Sequence, residues 1–190
     1  DYILSVAAQY PHKNLETLVK AFCRLKDDLP GYDLLLVGQL PDNLGKRVNS
    51  KYDVSGLIKE LDLENRVQCL GFLDDEMLGC YYRGSSLFAF PSVFEGFGMP
   101  PVEAIGFGLD VITTACGAIP EVTLGLAKYV NDPYDHNELA DLIMDTLHTP
   151  NLKRDRLNAG STVRENYSPE NIGRRFMAAI RLVIEESQIK

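Results

Sequence analysis

Residues 86–105 read SLFAFPSVFEGFGMPPVEAI, and two kinds of local structure meet in them. The apolar run at 86–91 has the length and composition of a strand covered on both faces, as a parallel sheet between helix layers requires. Pro100 and Pro101 can begin a helix but cannot continue one. A strand, a loop carrying Glu95 and a new helix therefore follow in direct succession. Gly96 and Gly98 let the loop backbone approach a ligand closely, and the amides from Phe97 to Met99 lie where a helix N-terminus favours an anion.

Outward from this stretch the same alternation recurs. Strand-length apolar runs stand at 2–8, 33–39, 67–71, 86–91, 110–115 and 127–132. Between the first two, Leu15, Leu18, Val19, Phe22, Leu25 and Leu29 keep the spacing of an amphipathic helix. Val54, Leu57, Ile58 and Leu61 repeat it, as do Met77, Leu78, Tyr81 and Tyr82 behind Asp74 and Asp75 as caps. After residue 132 three helical segments follow, at 136–149, 151–166 and 168–186. The last opens on Ser168-Pro169 and carries the apolar stripe Ile172, Phe176, Ile180, Val183 and Ile184. The pattern predicts an α/β fold: a Rossmann-like parallel sheet of about six strands, helices on both faces and a helical C-terminal tail. The longest loop is expected at 41–53.

The chain has 190 residues, 45% of them hydrophobic and 24% charged, which suits a single domain over 1–190. A net charge of -8, with Lys and Arg scattered, gives no footprint for nucleic acid. No apolar run reaches the length of a membrane span, and no signal peptide opens the chain. Cys23, Cys69, Cys80 and Cys116 form no CxxC pair and read as reduced core thiols, so a cytoplasmic, metal-free protein is expected. The start DYILSVAA enters a strand at once, as an excised piece of a longer chain would.

In such sheets ligands bind beyond the carboxyl ends of the strands, so the loops carry the chemistry. Glu103, expected in the first helical turn, either complements the helix dipole, worth roughly 0.3–1 kcal/mol, or accepts from two adjacent donors such as a ribose diol. Glu95 has no capping role. A carboxylate there can take sugar hydroxyls or stabilise positive charge developing at an anomeric carbon. A diphosphate beside two carboxylates needs a cation, and one Lys at about 4 Å contributes on the order of 4 kcal/mol before desolvation. Lys13 is the candidate; the alternative is a solvated loop lysine. In 132–138, DPYDHNE, the acids read as turn and helix-start residues rather than metal ligands.

PHKNLETLVKAF, VQCLGFLDDEML, PSVFEGFGMPPVEAIGFG and GAIPEV, in this order, resemble the family 4 retaining glycosyltransferases of GT-B architecture, in their C-terminal, donor-binding domain. The resemblance implies transfer of a hexosyl group from a nucleotide-diphosphate sugar, of UDP or GDP type, with retention of configuration and without a metal or other cofactor. It implies Glu103 on the ribose, Glu95 at the sugar near the reacting centre, and Lys13 on the diphosphate. Gly96, Phe97, Gly98 and Met99 would hold sugar and phosphates. Leu73, with Asp74 and Asp75, would hold the base edge, unless those acids only cap a helix. The acceptor, a glycan or lipid-linked molecule of polysaccharide biosynthesis, would lie on a missing N-terminal domain. The isolated piece would then be inactive, and the full-length protein could associate peripherally with a membrane.

Two departures stand out. Relatives often carry Gly-Arg after the first strand, where this chain has Val6-Ala7-Ala8-Gln9 with His12 nearby; Lys46 or Arg47 could replace that Arg. Asp110 stands where a proline is common, which affects only the start of a strand. The rival reading is a non-catalytic nucleotide-sugar-binding module; an epimerase, a phosphorylase or a structural interaction protein are further alternatives.

Overall fold

Among the described residues, six strands form where the apolar runs predict them: β1 (Tyr2–Val6), β2 (Asp33–Val37), β3 (Val67–Gly71), β4 (Leu87–Phe90), β5 (Val111–Thr114) and β6 (Lys128–Val130). They make one parallel sheet in the order β3-β2-β1-β4-β5-β6. The computed structural model describes residues 1–38 and 52–188, so Lys46, Arg47 and most of the expected 41–53 loop lie outside the described residues.

Eight α-helices are present among the described residues: α1 (Leu15–Leu25), α2 (Val54–Glu60), α3 (Asp75–Gly84), α4 (Met99–Gly106), α5 (Ile119–Val122), α6 (His136–His148), α7 (Lys153–Asn166) and α8 (Pro169–Gln188). With this strand order, the right-handed rule for parallel crossovers places α1 and α2 on one face of the sheet and α3 and α4 on the other. Helix α6 packs on α1, and α7 packs on α4. Phe22, Phe88, Phe90, Ile3 and Leu4 are fully buried between these layers. The order in which the chain adds strands reverses between β1 and β4, so their carboxyl ends open a crevice, the usual ligand position in a doubly wound sheet.

Two expectations need correction. The thiols are free but none is in the core: Cys69 and Cys80 are exposed, Cys23 and Cys116 half-buried. Cys69 is on the edge strand β3, whose middle is exposed. Asp110 does more than start a strand. It is buried, accepts from Asn151 Nδ2 and lies 3.7 Å from Arg156 Nη1, tying the start of α7 to the sheet. The stripe on α8 exists, with Ser168 Oγ accepting from Asn171 N as its start signal, yet Phe176 and Val183 are about two-thirds exposed (65% and 66%).

Candidate functional site

The crevice is built from the loops that leave β1 and β4. After β1 the chain makes a short 3-10 turn at Pro11–Lys13, and Asn14 then takes a left-handed conformation, φ 56°, to start α1. Its side-chain amide donates to Pro91 O at 3.1 Å and to Pro133 O at 2.6 Å, and its oxygen accepts from Thr17. The His12 carbonyl accepts from Val93 N at 2.8 Å and from Ser92 Oγ at 3.0 Å. These bonds lace the two loops together across the switch point.

Lys13 and Glu95 meet on that frame. Lys13 Nζ is 2.6 Å from Glu95 Oε1, and the two side chains are only 17% and 11% exposed. The ammonium also sits 5.5 Å from the centre of the Phe90 ring, a favourable position for a cation over an aromatic face. The solvated-lysine alternative is thereby set aside: Lys13 is held.

Beside the pair opens a cavity of about 440 Å³ along the ends of β1, β2 and β3, lined by Lys13, His12, Tyr10, Gly38, Leu73 and Pro100 among others. Its size fits a small-molecule site. A second hollow of about 300 Å³ is lined by Asp75, Leu78, Gly79, Tyr82, Glu103 and Phe107, and Leu78 borders both. Lys13 and Leu73 thus line the larger space and Glu103 and Asp75 the smaller. Glu95 lines neither; it reaches the larger one through Lys13. Asp74 caps α3, accepting from Met77 N at 2.8 Å, so capping accounts for it.

Helix α4 starts at Met99, with Gly98 as a left-handed N-cap at φ 87°. Glu103 therefore falls in the second turn, not the first, and the dipole alternative loses its basis because the field fades within the first turn. Its carboxylate is engaged instead by Tyr82, whose hydroxyl donates to Oε2 at 2.9 Å. Pro100 and Pro101 remove two first-turn donors. Among the described residues the amides of Gly96, Phe97, Gly98 and Met99 donate to no backbone carbonyl. Phe97 is partly exposed and meets Tyr167 edge-on at 5.7 Å.

Three residues of the site escape sequence reading. Asn14 carries a capping-type signal just before the helix. Gly117, in the loop after β5, has φ 59°, and a Cβ there would lie 2.4 Å from the Glu95 carbonyl oxygen; only a bare backbone lets the Glu95 loop pass. Tyr82 reads as one more apolar position of α3. The 132–138 acids behave as expected. Glu138 accepts from Asn131 N and Asp132 N, and Asp135 caps α6 by accepting from Asn137 N and Glu138 N. Among the described residues no group of three or more His, Cys, Asp or Glu is placed to hold a metal, and no helix is long and apolar enough to cross a membrane.

Comparison with known proteins adds to this geometry. The sequence profile described as "Glycosyl transferases group 1" matches residues 1–163. The chain is 27% identical over 183 residues to the O-antigen chain mannosyltransferase B of Escherichia coli, covering 96% of this chain and 46% of that protein. Sucrose-phosphate synthase from Thermosynechococcus elongatus superposes with a TM-score of 0.78 at 29% identity, covering 97% of this chain and 46% of that one. Anabaena HepE in complex with UDP and glucose superposes at 0.80 with 23% identity, covering 95% and 48%; at that identity the likeness is one of fold. The chain spans less than half the length of the curated relatives it matches.

Proposed function

This chain belongs to the group 1 glycosyl transferase family, and from that premise we propose that it forms the donor-binding half of a retaining hexosyltransferase, with the acceptor held elsewhere in a longer protein. The observation that carries the reading is the pairing of Lys13 with Glu95 at the switch point, beside a cavity large enough for a nucleotide. The diphosphate of a UDP- or GDP-sugar displaces the Glu95 carboxylate from Lys13 Nζ and takes its place, so no metal is needed to hold the anion. The ribose lies toward Glu103 and the base against Leu73 at the end of β3. The amides of Gly96 to Met99, which among the described residues donate to no backbone carbonyl, are available to sugar and phosphate oxygens.

The released Glu95 carboxylate then faces the transferring sugar. There it opposes the positive charge that develops at the anomeric carbon as the diphosphate departs, while Lys13 neutralises the leaving group. Retention of configuration is part of the proposal and follows the resemblance in the loop around Glu95. That relatives include an O-antigen mannosyltransferase, and that a neighbour is described with UDP and glucose, supports a nucleotide-sugar donor and a glycan or lipid-linked acceptor. The free thiols suit the cytoplasm, with peripheral membrane contact by the whole protein.

The test is sugar transfer by the full-length protein with and without Glu95→Ala, with the anomeric configuration of the product determined by NMR. Loss of transfer with nucleotide binding retained, and a retained configuration, is the expected result. Full activity in the variant would remove Glu95 from the mechanism. Binding without transfer by the wild-type protein would favour the non-catalytic module.

A further inference from the structure

Tyr82 is not part of the sequence motif, yet the structure gives it one polar duty. Its side chain on α3 is 1% exposed, stacked on Phe107 with ring centres 5.0 Å apart and tilted against Phe88 at 5.7 Å. Those contacts hold the ring in one place and direct its hydroxyl to Glu103 Oε2 at 2.9 Å. Phe107 is the C-cap residue of α4, four positions after Glu103, so the stacking partner of the ring and the carboxylate it meets belong to the same helix. Burial first, and the Glu103 charge second, push the phenol pKa far upward, so the hydroxyl stays a donor at any working pH.

We propose that Tyr82 is a positioning residue for nucleotide selection: it fixes the Glu103 carboxylate through Oε2, leaving Oε1 and the second lone pair of Oε2 to accept the two vicinal hydroxyls of a nucleoside diphosphate. The inference rests on the reading that Glu103 takes the ribose, and it adds why that carboxylate is ready before the ligand arrives. A glutamate side chain ordered only on binding lowers affinity by its lost rotamer freedom. One held in advance by a buried phenol does not incur that loss. An ionised carboxylate has only acceptors, so a nucleotide lacking both hydroxyls gains nothing from the arrangement.

The experiment is calorimetric titration of this chain with UDP and GDP and with their 2′,3′-dideoxy counterparts, for wild type, Y82F, E103Q and the double variant. Tyr82→Phe keeps the ring and its stacking, and affinity for the dideoxy nucleotide serves as the internal check on folding. The expected result is a ribonucleotide preference that falls about fivefold to tenfold in Y82F, the scale of the net contribution of one ordinary hydrogen bond. Dideoxy binding is unchanged, and E103Q abolishes the preference, with nothing further lost in the double variant. A preference intact in Y82F but lost in E103Q overturns the role of Tyr82 alone, as does an equal weakening of both nucleotides. A preference intact in E103Q, or no binding by wild type at millimolar nucleotide, overturns the ribose assignment and this inference with it.

Discussion

Lys13 Nζ lies 2.6 Å from Glu95 Oε1, so the proposed cation for the diphosphate is already occupied by the proposed carboxylate at the sugar. Each is the other's counter-charge, and the proposed donor would have to separate them. Removing either partner therefore has opposite effects on binding.

Lys13→Ala leaves the Glu95 carboxylate, whose side chain is 11% exposed, without its counter-ion. Affinity for a nucleoside diphosphate should fall by about tenfold to a hundredfold, the scale of one charge-assisted contact. Affinity for the corresponding nucleoside should change little. Parallel titrations of the two ligands separate loss of the cation from general damage to the site.

Glu95→Gln removes the competitor. Nucleoside diphosphate binding should be unchanged or up to about tenfold tighter, since one negative charge beside the phosphate is gone. Transfer by the full-length protein should drop by about a hundredfold or more, as when a group stabilising transition-state charge is lost. A variant that binds more weakly would show that the ion pair organises the site rather than competing with the ligand.

Gly117→Ala tests the backbone frame. Its positive φ and a Cβ placed 2.4 Å from the Glu95 carbonyl oxygen leave no room for a side chain. A loss of about 1–3 kcal/mol in unfolding free energy is expected from strain at such a position, with weakened nucleotide binding because the Glu95 loop must move. Denaturant unfolding and titration check the two effects separately.

The junction of β6 and α6 should show a dependence on acid. The Glu138 and Asn137 amides hold the Asp135 carboxyl below its ordinary pKa, and the Asn131 and Asp132 amides do the same for Glu138. Groups lowered in the folded state stabilise it above the unfolded carboxyl range, near pH 4, and lose that contribution as pH falls through the folded values. The Tm deficit of Asp135→Ala against wild type should therefore be full at pH 7 and close below about pH 4.

How much of this was legible in the sequence follows from how local each signal is. The strands from Leu34 to Leu36 and from Leu87 to Phe90 are apolar on both faces, a property of the run itself, so the parallel sheet could be read directly. Lys13, Glu95 and Glu103 could be named because the resemblance supplied positions that spacing alone left ambiguous. What could not be read depends on contacts between distant segments. Tyr82 looks like any apolar helix position until Glu103 is folded beside it, and Gly117 looks like any loop glycine until the Glu95 carbonyl is found against it. The second turn of α4 was misplaced by one residue of helix start, since Met99 and not Pro100 begins it. The burial expected of Cys69 failed because an apolar run does not reveal whether its strand is central or at the edge.

A nucleotide-sugar donor is proposed to occupy the crevice between β1 and β4 with its diphosphate on Lys13. The most direct measurement is an NMR titration of isotope-labelled chain with UDP-, GDP- and ADP-sugars, followed residue by residue. Saturable shifts are expected at Lys13 and Asn14, Leu73, the amides of Gly96 to Met99 and Glu103, lost together in Lys13→Ala. Saturable shifts confined to another surface, or none at millimolar donor, would contradict it.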